Sequence, residues 1–272
     1  MAAMSRQTRH RILQKVLWSR FGLSAVRAYL GFSRRWEYVV MNRSLLGESN
    51  GEHWLLSLLP PEPFILDVGF NRGDFSREAL RLRPEARIIG FDPAASMQRV
   101  FARGFADEPR VELLPFAVGN ARGEAEFHDT SDGNSSLVGE AAPGAETYRV
   151  QMVTLDELAC DRGWSEVDLL KIDAEGYDLH ALEGAERLLE NQAIAMFSFE
   201  YNAPWIASRR FLKDACAYLE DKPYRLFRLF NGFLSPFRYS HRMERHDLGC
   251  IYIGVSTRRL GGGDIPIRAF PL

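Results

Sequence analysis

From residue 60 onward, predicted strands and helices alternate along the chain, and this alternation constrains the fold more than any other feature of the sequence. Three prolines, Pro60, Pro61 and Pro63, end a helix-like stretch over residues 53–59, and a short apolar strand, Phe64–Val68, follows them. Parallel strands need long crossover connections, which are usually helices. The alternation therefore predicts an α/β fold built on a mostly parallel sheet.

The remaining predicted elements continue this pattern with one interruption. The predicted helices are Asp74–Leu82, Ala94–Arg103, Leu155–Cys160, Leu179–Leu189 and Pro204–Leu219, and the predicted strands are Arg87–Phe91, Val111–Leu114, Val150–Thr154, Val167–Ile172 and Ala193–Phe199. A turn-rich segment over residues 120–146 predicts a hairpin and loop over one sheet edge. Two last strands, Tyr224–Phe230 and Cys250–Val255, fit an antiparallel pair at the edge of the sheet.

Composition excludes several classes of protein. The 272 residues are 46% hydrophobic and 26% charged, which suits a globular domain rather than a disordered, collagen-like or coiled-coil chain. No apolar run approaches the roughly 20 residues that cross a bilayer, and no secretory signal is visible. The cysteines, Cys160, Cys216 and Cys250, form no C-x-x-C pair, so we expect neither a disulfide framework nor a zinc ribbon. We expect a soluble, cytoplasmic protein.

Charge is segregated along the chain. Residues 1–36 hold eight Lys or Arg side chains and no Asp or Glu, so the rest of the chain carries 26 basic and all 36 acidic side chains. Five apolar residues recur at helical spacing within this basic arm: Ile12, Leu13, Val16, Leu17 and Phe21. Three interpretations of the predicted helix remain open: packing on the main domain, peripheral contact with anionic lipid or an acidic partner, and a transit segment. Nucleic-acid binding is not expected, because no docking motif accompanies the arm.

The first chemical signal is the turn after the first predicted strand, Asp67-Val68-Gly69-Phe70-Asn71-Arg72-Gly73. In open α/β sheets, ligands bind at the carboxyl ends of the strands, and glycine lets the main chain approach a ligand closely. The spacing is neither that of a dinucleotide fold nor that of a phosphate loop. Asp67 would suit a ligand with a cationic group, such as an amino-acid ammonium. Alternatively, it caps the amides of its own turn.

The second signal is Asp92, which ends the second predicted strand 19 residues after Gly73. In nucleotide-binding α/β folds, a carboxylate at about this separation receives the two hydroxyls of a ribose. The turn and Asp92 together indicate an adenosine-type cofactor. As an alternative, Asp92 caps the helix that follows it.

The third signal is a pair of carboxylates, Asp173 and Glu175, at the end of the predicted strand Val167–Ile172. Glu200 ends the next strand, so three acids can meet at the ligand side of the sheet. Such convergence favours catalysis. The alternative is that Asp173 and Glu175 stabilise the N-terminus of the following helix.

Five segments in a fixed order carry a resemblance to a known family. They are Leu66–Gly73, Gly90–Pro93, Gly133–Leu137, Val153–Leu158 and Asp168–Gly184. In this order the chain resembles the FkbM family of S-adenosylmethionine-dependent methyltransferases over roughly residues 60–255. It departs from the family pattern mildly, with Phe70 where a small residue is usual, Asp92 where Glu is more frequent and Ala174 where Val is common.

The resemblance implies a Rossmann-like class I methyltransferase fold with a seven-stranded, mostly parallel sheet and an antiparallel edge. We assign residues 1–59 to a basic helical N-terminal extension, 60–257 to the methyltransferase domain and 258–272 to a C-terminal tail. The implied reaction transfers a methyl group to a hydroxyl of a sugar, glycolipid or natural product. The alternative is a catalytically silent methyltransferase-like scaffold, attached to a membrane through the basic arm.

The resemblance also implies which residues bind S-adenosylmethionine. The implied cofactor residues are Asp67, Gly69, Asn71 and Gly73 for the methionine part, Asp92 for the ribose, and Phe116 and Ala117 for the adenine. The middle loop offers Asn134, Ser135 and Ser136 to a polyol substrate, or is a solvated turn. The acceptor is a small molecule or glycan, and the oligomeric state is open.

An alcohol is a poor nucleophile until its proton is removed, so a base is expected in the site. Asp173 is the first choice, with Glu175 and Glu200 as orienting groups or alternates, and His128 and His246 as less favoured bases. The same three carboxylates could hold Mg²⁺, because hard cations prefer oxygen ligands. A divalent metal therefore stays an open alternative that is not part of the prediction.

Overall fold

The structure, a computed structural model, describes residue 24 and residues 50–130, 135–139, 141, 143–246 and 249–270. Asn134 and the basic arm, apart from residue 24, lie outside the described residues. The helices are α1 (Glu52–Ser57), α2 (Asp74–Leu82), α3 (Ala95–Gly104), α4 (Leu155–Arg162), α5 (Asp178–Glu183), α6 (Glu186–Glu190), α7 (Leu212–Leu219) and α8 (Thr257–Gly261), with 3₁₀ turns at Ala203–Ile206 and His241–Met243. The strands are β1 (Phe64–Val68), β2 (Arg87–Phe91), β3 (Val111–Leu114), β4 (Ala117–Val118), β5 (Gly123–Asp129), β6 (Glu146–Val153), β7 (Val167–Ile172), β8 (Ile194–Tyr201), β9 (Tyr224–Phe230), β10 (Phe233–Pro236) and β11 (Cys250–Ser256).

The described residues form a main sheet of eight strands in the order β10-β9-β11-β8-β7-β1-β2-β3. Strands β3, β2, β1, β7 and β8 run parallel, and β11 lies antiparallel between β8 and β9. The expected α/β fold and its antiparallel edge pair are therefore confirmed. The sheet has one strand more than the seven expected, because Gly232, at a φ of 92°, permits a two-residue loop that folds β10 back onto β9.

Both faces of the main sheet are buried. In β1, Ile65 packs on the side of α1 and α2, while Leu66 packs on the side of α4, α5, α6 and α7, and both side chains have an exposed fraction of 0%. Leu169 and Leu170 of β7 divide between the two faces in the same way. Burial on both faces explains why the central strands are continuous apolar runs rather than alternating ones.

A second sheet, in the order β4-β6-β5, forms from strands within residues 117–153, between β3 and α4. Strands β5 and β6 pair antiparallel from Gly123 opposite Met152 onward, so a hairpin is present, but its second strand lies beyond the segment 120–146. The predicted strand Val150–Thr154 is part of β6 in this second sheet and does not resume the parallel alternation of the main sheet. Asp129 ties the loop end of this hairpin to α3. Its carboxylate accepts hydrogen bonds from the hydroxyls of Ser96, at 2.7 Å, and Tyr148, at 2.8 Å. The hairpin is therefore held beside the end of β2.

One predicted helix, Leu179–Leu189, is two short helices, α5 and α6. The break lies at Gly184, where a Cβ would stand 2.0 Å from the carbonyl oxygen of Gly119. The close approach of β4 to this point therefore interrupts a stretch whose local pattern favours one continuous helix.

A second predicted helix, Pro204–Leu219, is helical only from Leu212 onward. The residues before it form a 3₁₀ turn, in which the indole N–H of Trp205 donates a 2.8 Å hydrogen bond to the carbonyl oxygen of Glu200. Trp205 is fully buried. The contact between Trp205 and β8 therefore turns the chain back over the end of β8.

Both ends of the described chain pack on the main sheet. Leu55 and Leu56 of α1 are 1% and 0% exposed, so part of the segment assigned to the N-terminal extension contacts the sheet. At the other end, Ile267 forms a bridge with Leu234 of β10, within the segment assigned to the tail. Among the residues that the structure describes, no helix is long and apolar enough to span a membrane.

Candidate active site

A cleft opens at the carboxyl ends of β1, β2 and β7, and the β5–β6 hairpin forms its far wall. The space between its walls, counted out into the open solvent at its mouth, is about 620 Å³. Open α/β sheets bind ligands at this edge. The predicted site residues that line the cleft are Gly69, Asn71, Asp92, Phe116, Ala117, Ser135, Ser136, Asp173 and Glu175.

The turn after β1 brings main chain, rather than side chains, to the cleft. Gly69 has a φ of 78°, and a Cβ at this position would lie 1.9 Å from the main-chain oxygen of Asp173. Asn71, at a φ of 53°, donates its amide hydrogen to Oδ2 of Asp92 across 2.7 Å. Only glycine fits position 69, because its φ is positive and the carbonyl of Asp173 fills the space that a side chain would need.

Phe70 and Gly73 support the turn from below. Phe70 is 2% exposed and packs edge-on against Phe101 and Phe105, with ring centroids 5.6 and 5.3 Å away. A Cβ on Gly73 would meet the Phe105 ring at 2.5 Å. Neither residue lines the cleft. The bulk of Phe70, unusual for the family, is therefore accommodated in the core, and the structure places Gly73 behind the predicted cofactor contact rather than in it.

Asp67 is buried beneath the turn and does not line the cleft. It lies opposite Lys171 in the β1–β7 ladder, so both side chains are on the same face of the sheet. Oδ1 of Asp67 is 3.3 Å from Nζ of Lys171, and Oδ2 accepts a 2.8 Å hydrogen bond from the hydroxyl of Ser76. A carboxylate that already pairs with a buried ammonium is a poor partner for a cationic ligand. The expectation that Asp67 faces such a group therefore does not fit the structure.

Asp92 lies in the cleft at the end of β2. Its Oδ2 accepts from the amide of Asn71, and its Oδ1 accepts from the amide of Ala94 at 2.9 Å. Each carboxylate oxygen has room for a second hydrogen bond, so Asp92 can also receive two ligand hydroxyls. Burial, partly offset by these two amides, raises the pKa of Asp92 to about 6. The carboxyl group of Asp92 is therefore ionised in most molecules at neutral pH.

An apolar wall completes this end of the cleft. Phe116 and Ala117, which follow β3, line it as the sequence predicts, together with Pro93, Met97 and Phe127. Met97 is 3% and Phe127 is 4% exposed, so the wall is well packed from behind. Such a surface suits a flat, weakly polar ring.

Strand β7 delivers Asp173 and Glu175 to the cleft, as the sequence predicts. The amide of Asp173 donates to the carbonyl oxygen of Val68 at 2.9 Å and extends the β1–β7 pairing past the end of the strand. Glu175 has a φ of 46°, which is uncommon for a residue other than glycine. Its carbonyl oxygen accepts a 3.1 Å hydrogen bond from the hydroxyl of Ser136. The loop after β7 therefore contacts the hairpin across the cleft.

Glu200 is the penultimate residue of β8 and does not line the cleft. Burial, and then the charges of Asp173 and Asp178, raise the pKa of Glu200 to about 8. Burial and the charge of Asp173 likewise raise the pKa of Asp178, which is 1% exposed, to about 7. Glu200 therefore carries a proton most of the time at neutral pH, and a protonated carboxyl group cannot accept a proton as a general base.

The described part of the middle loop, which begins at Ser135, extends the hairpin. The hydroxyl of Ser135 lies 3.3 Å from Oδ1 of Asp129. Ser136 exchanges two main-chain hydrogen bonds with His128, at 3.0 and 3.1 Å. Both serines line the cleft, and their contact with substrate stays a prediction, as does that of Asn134, which lies outside the described residues.

No group of three or more His, Cys, Asp or Glu side chains in the described residues has a geometry that could hold a metal ion. His128 and His246 do not line the cleft. The ring of His128 contacts the hydroxyl of Thr147, with Nδ1 and Oγ1 2.9 Å apart. Among the side chains proposed as bases, only Asp173 and Glu175 are therefore in the cleft.

Two residues next to the site, Lys171 and Asp129, were not predicted from the sequence. Lys171 interrupts an apolar strand, and this was a usable signal, because lysine is almost never buried unless it is paired. Asp129, which is 3% exposed, anchors the hairpin through Ser96 and Tyr148. Its partners are far away in the sequence, so no local pattern could reveal it.

The family model described as "Methyltransferase FkbM domain" matches residues 67–226, which is more than half of the chain. The chain belongs to the FkbM methyltransferase family. The match begins at residue 67, near the end of β1, and includes every residue that lines the cleft. The expected family and the Rossmann-like fold of the FkbM domain are therefore confirmed.

Similar proteins bear methyltransferase names. The 2-O-methyltransferase NoeI of Sinorhizobium fredii (strain NBRC 101917 / NGR234) is 26% identical over 152 residues, which cover 50% of this chain and 63% of NoeI. The methyltransferase sdnD of Sordaria araneosa is 29% identical over 161 residues, which cover 47% of this chain and 62% of sdnD. The chain thus spans less than two thirds of either relative. A solved structure, methyltransferase FkbM from Methylobacillus flagellatus KT, has a TM-score of 0.46 and 14% identity, covering 73% of this chain and 47% of that chain.

Proposed function

We propose that this FkbM domain is an S-adenosylmethionine-dependent O-methyltransferase that acts on a hydroxyl of a sugar, glycolipid or natural product. The observation that carries the proposal is the convergence of the Gly69 turn, Asp92 and Asp173 in one cleft. Membership of the family supports methyl transfer. The printed name of the relative NoeI, a 2-O-methyltransferase, supports oxygen as the acceptor atom.

The residues of the cleft fit S-adenosylmethionine. Gly69 and Asn71 of the turn line the cleft where the methionine part would lie, and Asp92 offers two acceptor oxygens to the ribose hydroxyls. Phe116 and Ala117 provide an apolar surface for the adenine. When bound, the cofactor supplies a methyl group on a positively charged sulfur.

The charges in the cleft favour a cationic cofactor. Asp92, Asp173 and Glu175 line it, whereas the neighbouring Lys171 is buried and already pairs with Asp67 and Asp173. A cleft with more carboxylates than free cations attracts positive charge. A ligand that carries an ammonium and a sulfonium therefore gains affinity from this arrangement.

Asp173 serves as the general base in this proposal. Its side chain is 39% exposed, so it can reach the hydroxyl of an acceptor, whereas Glu200 does not line the cleft and has a raised pKa. Removal of the hydroxyl proton by a positioned carboxylate makes the oxygen nucleophilic. Glu175, on the same loop, orients the acceptor, and the hairpin limits access of water to the reacting groups.

Calorimetry with S-adenosylmethionine and with its product S-adenosylhomocysteine tests the cofactor assignment. We expect both to bind with micromolar dissociation constants. If the wild type binds neither, the proposed activity is wrong and the scaffold alternative is favoured.

A methyl-transfer screen then tests the acceptor. Methyl-labelled cofactor is incubated with the protein and with cell extracts divided into glycan, lipid and protein fractions. We expect label in the glycan or lipid fraction, and in a form that resists mild base, as a methyl ether does. Label confined to the protein fraction would contradict the proposed acceptor class while leaving methyl transfer intact.

A further inference from the structure

Lys171 is a buried cation that lies between the Gly69 turn and Asp173, the proposed base. Its side chain is 9% exposed. Nζ lies 3.3 Å from Oδ1 of Asp67, 3.4 Å from Oδ2 of Asp173 and 3.3 Å from the carbonyl oxygen of Gly69. One ammonium thus contacts the buried strand, the cofactor turn and the loop that carries the base.

The ammonium remains charged in this position. Burial lowers the pKa of Lys171, but the carboxylates of Asp67, Asp173 and Glu52 outweigh burial and raise the pKa above its ordinary value. The ring of Phe75 lies against the same ammonium, with its centroid 5.6 Å away. A single carboxylate, Asp67, would neutralise Lys171. The additional contacts with Gly69 and Asp173 therefore call for an explanation beyond neutralisation.

Asp173 gains a defined orientation from this contact. It lies past the end of β7, and its partly exposed side chain would otherwise turn freely about two bonds. A base must be held in a productive geometry, because a displacement of about 1 Å can cost roughly 100-fold in rate. The Lys171 ammonium supplies a fixed charge on the side of the carboxylate that faces the turn.

We propose that Lys171 is a positioning residue that holds the Asp173 carboxylate against the Gly69 turn. The Lys171 ammonium then sets the distance between the Gly69 turn and the carboxylate of Asp173. This inference rests on the proposed function, because it assigns Lys171 a role in the reaction proposed for that cleft.

The test must separate positioning from neutralisation of Asp67. Loss of Lys171 alone would leave Asp67 buried without its counter-ion, which is destabilising in itself. The test variant therefore carries both Lys171→Met and Asp67→Asn, which removes one positive and one negative charge together. The matched control carries Asp67→Asn alone and keeps the contact between Lys171 and Asp173.

Three measurements compare the double variant with the control. Calorimetry gives the affinity for S-adenosylhomocysteine, and methyl-labelled cofactor with the extract fraction that the wild type labels gives kcat and KM. Crystal structures with S-adenosylhomocysteine show the Asp173 side chain. We expect the double variant to bind within about threefold of the control and to keep its KM for cofactor. We also expect its kcat to fall at least about tenfold, with Asp173 in a different or mixed rotamer.

Equal kcat in the two variants, with Asp173 in the same place, would overturn the proposal. If the double variant does not fold, the wild-type crystal structure with S-adenosylhomocysteine decides. Nζ of Lys171 within hydrogen-bond distance of Asp173 supports the proposal, and a Lys171 that contacts Asp67 alone overturns it. A wild type that binds neither form of the cofactor refutes the proposed function itself, which is a different result from a wild type that transfers methyl groups without needing Lys171.

Discussion

The carbonyl oxygen of Asp173 occupies the space that a side chain at position 69 would need, since a Cβ on Gly69 would lie 1.9 Å from that oxygen. The amide of Asp173 also donates to the carbonyl oxygen of Val68 at 2.9 Å. The cofactor turn and the loop that carries the candidate base therefore pack main chain against main chain. A change on one side of this contact must move the other.

The first prediction concerns Gly69→Ala. The new Cβ collides with the carbonyl of Asp173, and alanine is also disfavoured at a φ of 78°. We expect unfolding free energy to fall by about 1–3 kcal/mol, and affinity for S-adenosylhomocysteine to fall at least about tenfold, which corresponds to about 1.4 kcal/mol. Denaturant titration and calorimetry measure the two effects. Gly123→Ala is the matched control, because a Cβ there meets nothing within 4 Å; equal affinities for the two variants would show that the collision does not matter.

The second prediction concerns Asp92 and pH. Its pKa is about 6, and the ionised form is the one that accepts hydrogen bonds from two hydroxyls. The dissociation constant of S-adenosylhomocysteine should therefore rise as pH falls through about 6 and change little above it. Asp92→Asn should bind about 10- to 100-fold more weakly at neutral pH, with a flatter profile. Asp92→Glu, which keeps a carboxylate, is the control, and a pH-independent wild-type affinity would refute the ribose assignment.

The third prediction concerns Asp173→Asn. The amide has nearly the shape of the carboxylate but cannot take a proton from the acceptor, so kcat should fall by at least about 100-fold. Thermal unfolding and affinity for S-adenosylhomocysteine should change much less than kcat. Asp107→Asn, at an exposed position outside the cleft, controls for the loss of one negative charge. Undiminished turnover in Asp173→Asn would remove Asp173 from the reaction and leave Glu175 as the remaining carboxylate of that loop.

The fourth prediction concerns stability at high pH. The pKa of Glu200 is raised from 4.5 to about 8, so the folded chain binds this proton more tightly than the unfolded chain does. Its contribution to stability is fully present below about pH 4.5, is lost progressively as pH rises from there to about 8, and changes little above that value. We expect the Tm to be several degrees lower near pH 9 than near pH 6, at about 2–4 °C for each kcal/mol.

Glu200→Gln isolates this effect, because it removes the titrating group and keeps the size of the side chain. Its Tm should change less between the two pH values than that of the wild type. The exposed Glu220 provides the control variant, Glu220→Gln, which should behave like the wild type. If the Tm of all three proteins falls by the same amount between pH 6 and pH 9, Glu200 is not the source of the pH dependence.

The central strands could be predicted closely from the sequence. Phe64–Val68, Arg87–Phe91 and Val167–Ile172 have the bounds in the structure that their apolar runs indicate. These strands are buried on both faces, so most of their positions are apolar, and the polar or turn-forming residues that flank them mark the ends. The breaks at Gly184 and before Leu212 could not be predicted, because they arise from contacts with β4 and β8 rather than from the local pattern.

The sequence by itself determined that Gly69, Asp92 and Asp173 meet, since the carboxyl ends of adjacent parallel strands lie at one edge of the sheet. Only the tertiary structure decided which of the acids face that edge. Asp67 is buried beside Lys171, its partner in the β1–β7 register, and neither Asp67 nor Glu200 lines the cleft. Register, burial and the nearest opposite charge are properties of neighbouring strands, and no single stretch of sequence contains them.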